Sequence, residues 1–378
     1  MFYDSNNNNN VKKEELARLF DSCLDEAKAA NSVPPEALEN YRVKRGLRER
    51  DGTGVMAGVT NIGNVHGYLM SEGEKIADEG KLEYRGMDMA KLIDAFNAEG
   101  RYGFEEVIYL LLFGKLPSQS ELDDFNALLA GNRHLPARFT EDILMKAPTR
   151  SIMNKMSTGV LALYAYDENP DDTSLENMLR QSIEIIARIP VIAAHSYAVY
   201  RNAFHNKSLN LHMPKDDMST AQNFLRLIRS SKQYTEEEAR LLDLCLIIHA
   251  EHGGGNNSSF SCRVLSSSGT DTYSAISAAI GSLKGPLHGG ANIKVQEMFD
   301  CIKATVRNAN DDGEVRDVLT SILRGELGDG SGKIYGMGHA IYTKSDPRAV
   351  MLKKYAEDLA HRKGFGEDLS AAAPVASR

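Results

Sequence analysis

Cysteine is scarce and unpatterned in this chain. Its 378 residues carry four, Cys23, Cys245, Cys262 and Cys301, with no CxxC pair among them. That spacing argues against a disulfide scaffold and suits a reducing cytoplasm. Long apolar runs are also missing: Val107–Phe113 is a short run, far below the roughly 18 uninterrupted apolar residues of a membrane span. A soluble protein without a membrane partner is expected. Basic blocks are absent as well. Forty-four Lys and Arg stand against 52 Asp and Glu, a net charge of -8, so there is no nucleic-acid footprint, and an anionic ligand would need positive charge gathered locally. The start of the chain, with its Asn6–Asn10 run, has neither an apolar signal core nor an Arg-rich transit pattern. What remains is ordinary globular usage, 42% hydrophobic and 25% charged, over a length that holds two or three domains at roughly 150 residues each.

Helix signals dominate. Ser118 and Glu121 have capping-box spacing just after Pro117, and Thr235 and Glu238 repeat it ahead of Leu241, Leu244, Cys245 and Ile248, which recur at helical intervals. Further helices are expected over Lys13–Ala29, Phe104–Phe113, Ser174–Tyr200, Met218–Arg229, Tyr273–Leu283, Val295–Ala309 and Ala349–Arg362. Small residues crowd Tyr273–Gly281, which suits either close helix packing or an internal core. One β-hairpin is expected within Glu74–Arg85, with Glu79-Gly80 as its turn. The Gly285-Pro286-Leu287-His288-Gly289-Gly290 cluster is the best boundary, dividing a large domain, 1–285, from a smaller one, 286–378. Ligand pockets tend to form at such a cleft.

Four of the ten histidines sit beside glycine-rich or turn-forming sequence: His249, His252, His288 and His339. Glycine lets a backbone or ligand approach closely, which makes these the site candidates. His195, inside an apolar helical stretch, reads as a satisfied core histidine. His249-Ala250-Glu251-His252 places two imidazoles three residues apart on one helix face, and zinc is the sharp alternative there. The order differs from the His-Glu-x-x-His of zinc hydrolases, so the polar reading is stronger and no metal is expected. His288 lies in GPLHGGAN and His339 in GKIYGMGHAIYTKSDPR, with Arg348 nine residues further on. Two glycine loops presenting imidazoles near an arginine, whose planar fork matches a carboxylate, point to a carboxylated or phosphorylated small molecule.

These motifs identify a family. LIIHAEHGGGNNSSF (Leu246–Phe260), GPLHGGAN (Gly285–Asn292) and GMGHAIYTKSDPR (Gly336–Arg348) resemble citrate synthases. Supporting matches are YRGMDMAKL, FEEVIYLLLFGKLP and RIPVIAAHSYA, and together they run in family order from about Val55 to about Gly364, leaving residues 1–30 poorly matched. The resemblance implies a mainly α, two-domain citrate-synthase-like helical fold with a small β-hairpin. It also implies a cytoplasmic homodimer that condenses acetyl-CoA with oxaloacetate to citrate and CoA, as in the tricarboxylic acid cycle, with no cofactor. His288 would hydrogen-bond the thioester oxygen as the acetyl group enolises, and His339 would polarise the ketone. His252 and Arg348 would hold oxaloacetate. His249, Asn256 and Ser258 would belong to the same substrate-binding set, Asn256 and Ser258 orienting the histidines, and Lys333, Ile334, Tyr335, Gly336, Met337 and Gly338 would border CoA.

The resemblance also exposes a departure. In the family an aspartate of a later Asn-Val-Asp segment abstracts the proton, and two further arginines complete the carboxylate clamp. Nothing after Arg348 matches them. The chain is therefore expected to be a truncated or frameshifted enzyme, or a shortened paralogue, that condenses poorly. The alternatives are a 2-methylcitrate synthase using propionyl-CoA and a non-catalytic ligand-binding or dimer-partner protein.

Overall fold

The computed structural model describes residues 60–72, 74–308, 311–336 and 341–363. All belong to the compact unit that begins at Met56. The helix expected over Lys13–Ala29 lies outside the described residues.

Among the described residues the fold is mainly helical, with one small sheet in the order β1-β2-β3. Strand β1 (Gly63–Ser71) pairs antiparallel with β2 (Glu74–Tyr84), and β3 (Met87–Asp88) adds a short third strand. This corrects the expected hairpin. Glu79-Gly80 does not reverse the chain; β2 runs straight through it, and the reversal comes after Ser71, where Glu72 takes a φ of +52°. The flexible pair marks a bulge instead. His66 pairs with Lys81 and Tyr68 with Ala77, so the single Gly67 opposes Asp78, Glu79 and Gly80. Turn-forming residues signal irregular backbone, and a bulge meets that need as well as a turn does.

Helix α1 (Met89–Ala98) follows at once, because Asp88 caps it by accepting from Ala90 N at 2.9 Å and Lys91 N at 3.1 Å. Helix α2 (Phe104–Phe113) stops at Gly114 in the left-handed region, and α3 (Gln119–Asn132) starts from the expected Ser118–Glu121 capping box. A π-helical segment (Thr140–Met145) leads to α4 (Ile152–Ala162) and then to α5 (Leu175–His205). Helix α5 continues five residues past the expected Tyr200, until Asn206 turns left-handed at φ +53°. It is long and apolar enough to cross a membrane by length and composition, with half of its most apolar window buried inside the protein. Within it His195 is the core histidine the sequence suggested: Nδ1 lies 2.8 Å from the Thr140 hydroxyl and Nε2 3.0 Å from the His212 carbonyl.

Helices α6 (Thr220–Ile228) and α7 (Glu236–Ile248) each begin on a capping box, the second being the expected Thr235–Glu238 pair. Helix α8 (Asn257–Ser266) and the small-residue helix α9 (Thr272–Leu283) pack on each other, and α9 packs on α4. Helix α10 (Ala291–Thr305) begins and ends four residues before the expected Val295–Ala309. With α11 (Asp312–Leu323) it closes a small core of Met298, Ile302, Val318 and Ile322. Helix α12 (Pro347–Arg362) then returns to the start of the fold. Its Met351 is buried with Leu82, Tyr84, Ile93, Leu244 and Ile247, a burial worth about 1.5–3 kcal/mol. That return brings the sequence around Arg348 to the end of α7 and the β-hairpin.

Candidate active site

Helix α7 ends because its apolar stripe ends. Ile248 is its last residue and His249 its C-cap, with Gly253 left-handed at φ +80° soon after. His249 and His252 therefore do not share a helix face, which corrects the sequence expectation. His249 is exposed, and its Nδ1 lies 2.6 Å from the Cys245 carbonyl of its own helix, so it joins neither group described below. His252 lies beyond the helix, where the Glu251 carboxylate accepts from Gly253 N at 2.5 Å.

The His252 ring faces Tyr342, with centroids 5.9 Å apart. On Tyr342 also sits the Arg348 guanidinium, 5.7 Å from the ring centre. Tyr342 is 5% exposed, and burial pushes its phenol up to about 12, so it stays neutral between the imidazole and the guanidinium. Asp346 engages Arg348 in a fork, Nε to Oδ1 at 3.0 Å and Nη2 to Oδ2 at 2.7 Å, and also accepts from Arg348 N at 2.9 Å. Burial works against the guanidinium charge, but Asp346 outweighs it and holds the pKa above its ordinary value. Beneath them Tyr84 donates to the Ile247 carbonyl at 2.7 Å, and desolvation raises its phenol far above the usual range.

A second group forms one helix along. Asn256 is the N-cap of α8: its Oδ1 accepts from Ser259 N at 2.9 Å, and its Nδ2 donates to the Gly253 carbonyl at 2.6 Å. Its visible task is to start the helix. The helix then presents Ser258, whose Oγ is 2.9 Å from His288 Nε2. His288 sits in the tight Gly285–Gly290 turn, where His288 N donates to the Gly285 carbonyl at 2.9 Å and Gly290 N to the Leu283 carbonyl at 3.0 Å. Partial burial lowers the imidazole pKa, so His288 is neutral at pH 7.

The Lys333–Gly338 segment is described as far as Gly336. Ile334 and Tyr335 lean on the α10–α11 core, while Tyr335 donates to Asp329 Oδ2 at 2.7 Å with Ser331 Oγ 3.0 Å away. Lys333 is exposed, and Gly336 takes φ +82°. Met337, Gly338 and His339 lie outside the described residues. Thus two sets of the expected residues come together, His252 with Arg348 and Ser258 with His288. Tyr342 and Asp346 went unnoticed in the sequence, although both stand inside GMGHAIYTKSDPR; a large aromatic in a loop of small and polar residues was the available signal.

Residues 51–376 match the family model described as "Citrate synthase, C-terminal domain". A citrate synthase of Synechocystis is 30% identical over 331 residues, 87% of this chain and 72% of the relative. A 2-methylcitrate synthase of Shewanella oneidensis is 34% identical over 288 residues, 76% of this chain and 68% of the relative. Among solved structures, the citrate synthase of Pyrobaculum aerophilum superposes with a TM-score of 0.65 at 30% identity, over 84% of this chain and 72% of that one.

Proposed function

The chain belongs to the citrate synthase family, and on that premise we propose that it binds oxaloacetate and acetyl-CoA and joins them through an enol to give citryl-CoA, which water hydrolyses to citrate and CoA. The observation that carries this reading is the Arg348–Tyr342–His252 stack. Arg348 already grips a carboxylate in two parallel bonds, the geometry a substrate carboxylate needs. Among the described residues nothing bonds its Nη1, which leaves that nitrogen for oxaloacetate, with His252 as the second donor across Tyr342.

The thioester α-proton is weakly acidic, so an oxygen donor must stabilise the enolate as it forms. A neutral imidazole serves at pH 7, and the lowered pKa of His288 keeps it neutral. Ser258 occupies Nε2, so the thioester oxygen binds at Nδ1. His339 polarises the ketone of oxaloacetate, and Lys333–Gly338 border CoA. His249 and Asn256 act at a distance from the reacting atoms, as a helix end and a helix cap. The enzyme is an acyltransferase that needs no cofactor or metal and works in the cytoplasm. Its partner is a second copy of the chain: no residue of α8 is buried although the helix carries Phe260, Val264 and Leu265, and Leu161 of α4 and Leu283 of α9 are also exposed.

The Asn-Val-Asp aspartate that the family places after Arg348 has no match in the 378 residues, and a general base supplies a factor of about 10² to 10⁴, so slow turnover is proposed for these residues assayed by themselves. Thiol release from acetyl-CoA with oxaloacetate, measured beside calorimetric binding, tests both halves. Binding with slow release is expected. Rapid release, on the order of 10 s⁻¹, overturns the missing base, and failure to bind oxaloacetate overturns the function. A second reading, 2-methylcitrate synthesis from propionyl-CoA, is supported by the 34% identity to a 2-methylcitrate synthase. Competition between acetyl-CoA and propionyl-CoA decides it.

A further inference from the structure

The bulge in the β-hairpin frees backbone groups from the ladder, and freed groups next to packed chain need other partners. Here the partners come from about 265 residues away. The Thr343 hydroxyl donates to the Gly67 carbonyl, accepts from Asp78 N at 3.2 Å and has the Asp78 carbonyl 3.3 Å away. Gly80 N donates to Ser345 Oγ at 3.4 Å, and Ser345 Oγ donates to Glu79 Oε2 at 2.7 Å. The bulge and the loop 341–346 thus complete each other. Within the sheet, the bulge is held in shape by His66 Nε2, 2.7 Å from Asp78 Oδ2.

Space is matched as closely as hydrogen bonding. Gly67 is buried, and a β-carbon on it would stand 2.6 Å from the Ile341 carbonyl oxygen and 2.7 Å from Tyr342 Cα. Both are backbone atoms, which cannot swing aside. Gly67 is not among the residues with positive φ, so the strand itself tolerates a side chain there. The glycine serves the loop, which must lie against β1 for Tyr342 to reach His252 and for Arg348 to enter α12 beside it.

The structure assigns the β1–β2 bulge, through Gly67 and Thr343, as the seat that positions the oxaloacetate-binding arginine loop. Gly67 and Thr343 are positioning residues: neither touches substrate, and both act through Tyr342 and Arg348. The assignment rests on the proposed role of Arg348, so its test must separate the two.

Oxaloacetate and, in parallel, CoA are titrated calorimetrically into the full chain and into Gly67→Ala, Thr343→Val and Thr343→Ser. Gly67→Ala should weaken oxaloacetate by about tenfold, since the displaced loop is overpacked. Thr343→Val should weaken it by about fivefold, the weight of one net hydrogen bond, with Thr343→Ser within about twofold of the parent. CoA affinity should hold in all four, because its segment lies on the α10–α11 side. Should Gly67→Ala fail to fold, the valine and serine pair decides alone. A parent that binds oxaloacetate, with Thr343→Val binding it equally well, overturns the seat and leaves the proposed function standing. Equal losses for CoA and oxaloacetate mark general destabilisation and also overturn the seat. A parent that binds CoA but no oxaloacetate overturns the proposed function, and the seat with it.

Discussion

Asp243 shows how one buried carboxyl organises two helices. It sits on α7, 4% exposed, and accepts from Gly103 N at 2.8 Å and Phe104 N at 3.3 Å, so it caps α2 from across the core. Desolvation pushes its pKa up to about 7, the two backbone donors only partly opposing it. The folded value therefore lies above the unfolded one, about 3.9. Its contribution to stability is full below about pH 4 and is lost as pH rises to about 7, a loss on the order of a few kcal/mol. Thermal unfolding followed from pH 5 to pH 8 should show the parent losing stability relative to Asp243→Asn, whose amide cannot titrate. Parallel curves would mean that the carboxyl is not titrating in that window. At this scale the sequence was uneven. His195 was legible because a lone histidine flanked by apolar helical residues must find its hydrogen bonds inside the core, whereas the significance of Asp243 depends on a partner 140 residues away and leaves no local mark.

Among elements, the junction between the π-helical segment and α4 depends on one lysine. Lys155 is 7% exposed and donates to the carbonyls of Ile143 at 3.3 Å, Lys146 at 3.2 Å and Ala147 at 3.0 Å, closing the end of the segment where Ala147 turns left-handed at φ +54°. Burial lowers its pKa, and the carbonyls stand in for an acidic partner. Lys155→Met keeps the stem and removes the donors, so it should cost about 2 kcal/mol, the desolvation penalty of the orphaned carbonyls. A urea midpoint that falls with an unchanged slope supports this; an unmoved midpoint contradicts it. Helices were readable where their signals are local, as with the Ser118 and Thr235 boxes. The hairpin was misplaced because Glu79-Gly80 carries the same signature for a turn and for a bulge. What separates them is a loop from the far end of the chain, and no window of β2 contains it. The same holds for the site: its histidines and Arg348 were visible as motif residues, while the grouping through Tyr342 depends on α12 folding back onto α7.

The whole molecule divides its stability unequally. One core gathers the hairpin, α1, α2, α7 and the returning α12, whereas α10 and α11 bury Met298, Ile302, Val318 and Ile322 chiefly against each other. Among the described residues that core has four buried members, so these two helices should open as a unit at lower free energy than the rest. His288 precedes α10 and Lys333–Gly336 follow α11, so on the proposed function the acyl-CoA side belongs to the weaker unit. The oxaloacetate side, anchored by α12 and the bulge, belongs to the stronger. Ile322→Ala separates the two. The side chain is 3% exposed, and its loss should cost about 2–5 kcal/mol. If the units are independent, amide exchange in α10 and α11 quickens by on the order of a hundredfold, the equivalent of about 3 kcal/mol, while α5 and α7 keep the parent's protection. An equal acceleration in α5 and α7 would make the molecule one cooperative body. Independence would let the acyl-CoA side reorganise around its ligand while Arg348 stays fixed on its seat.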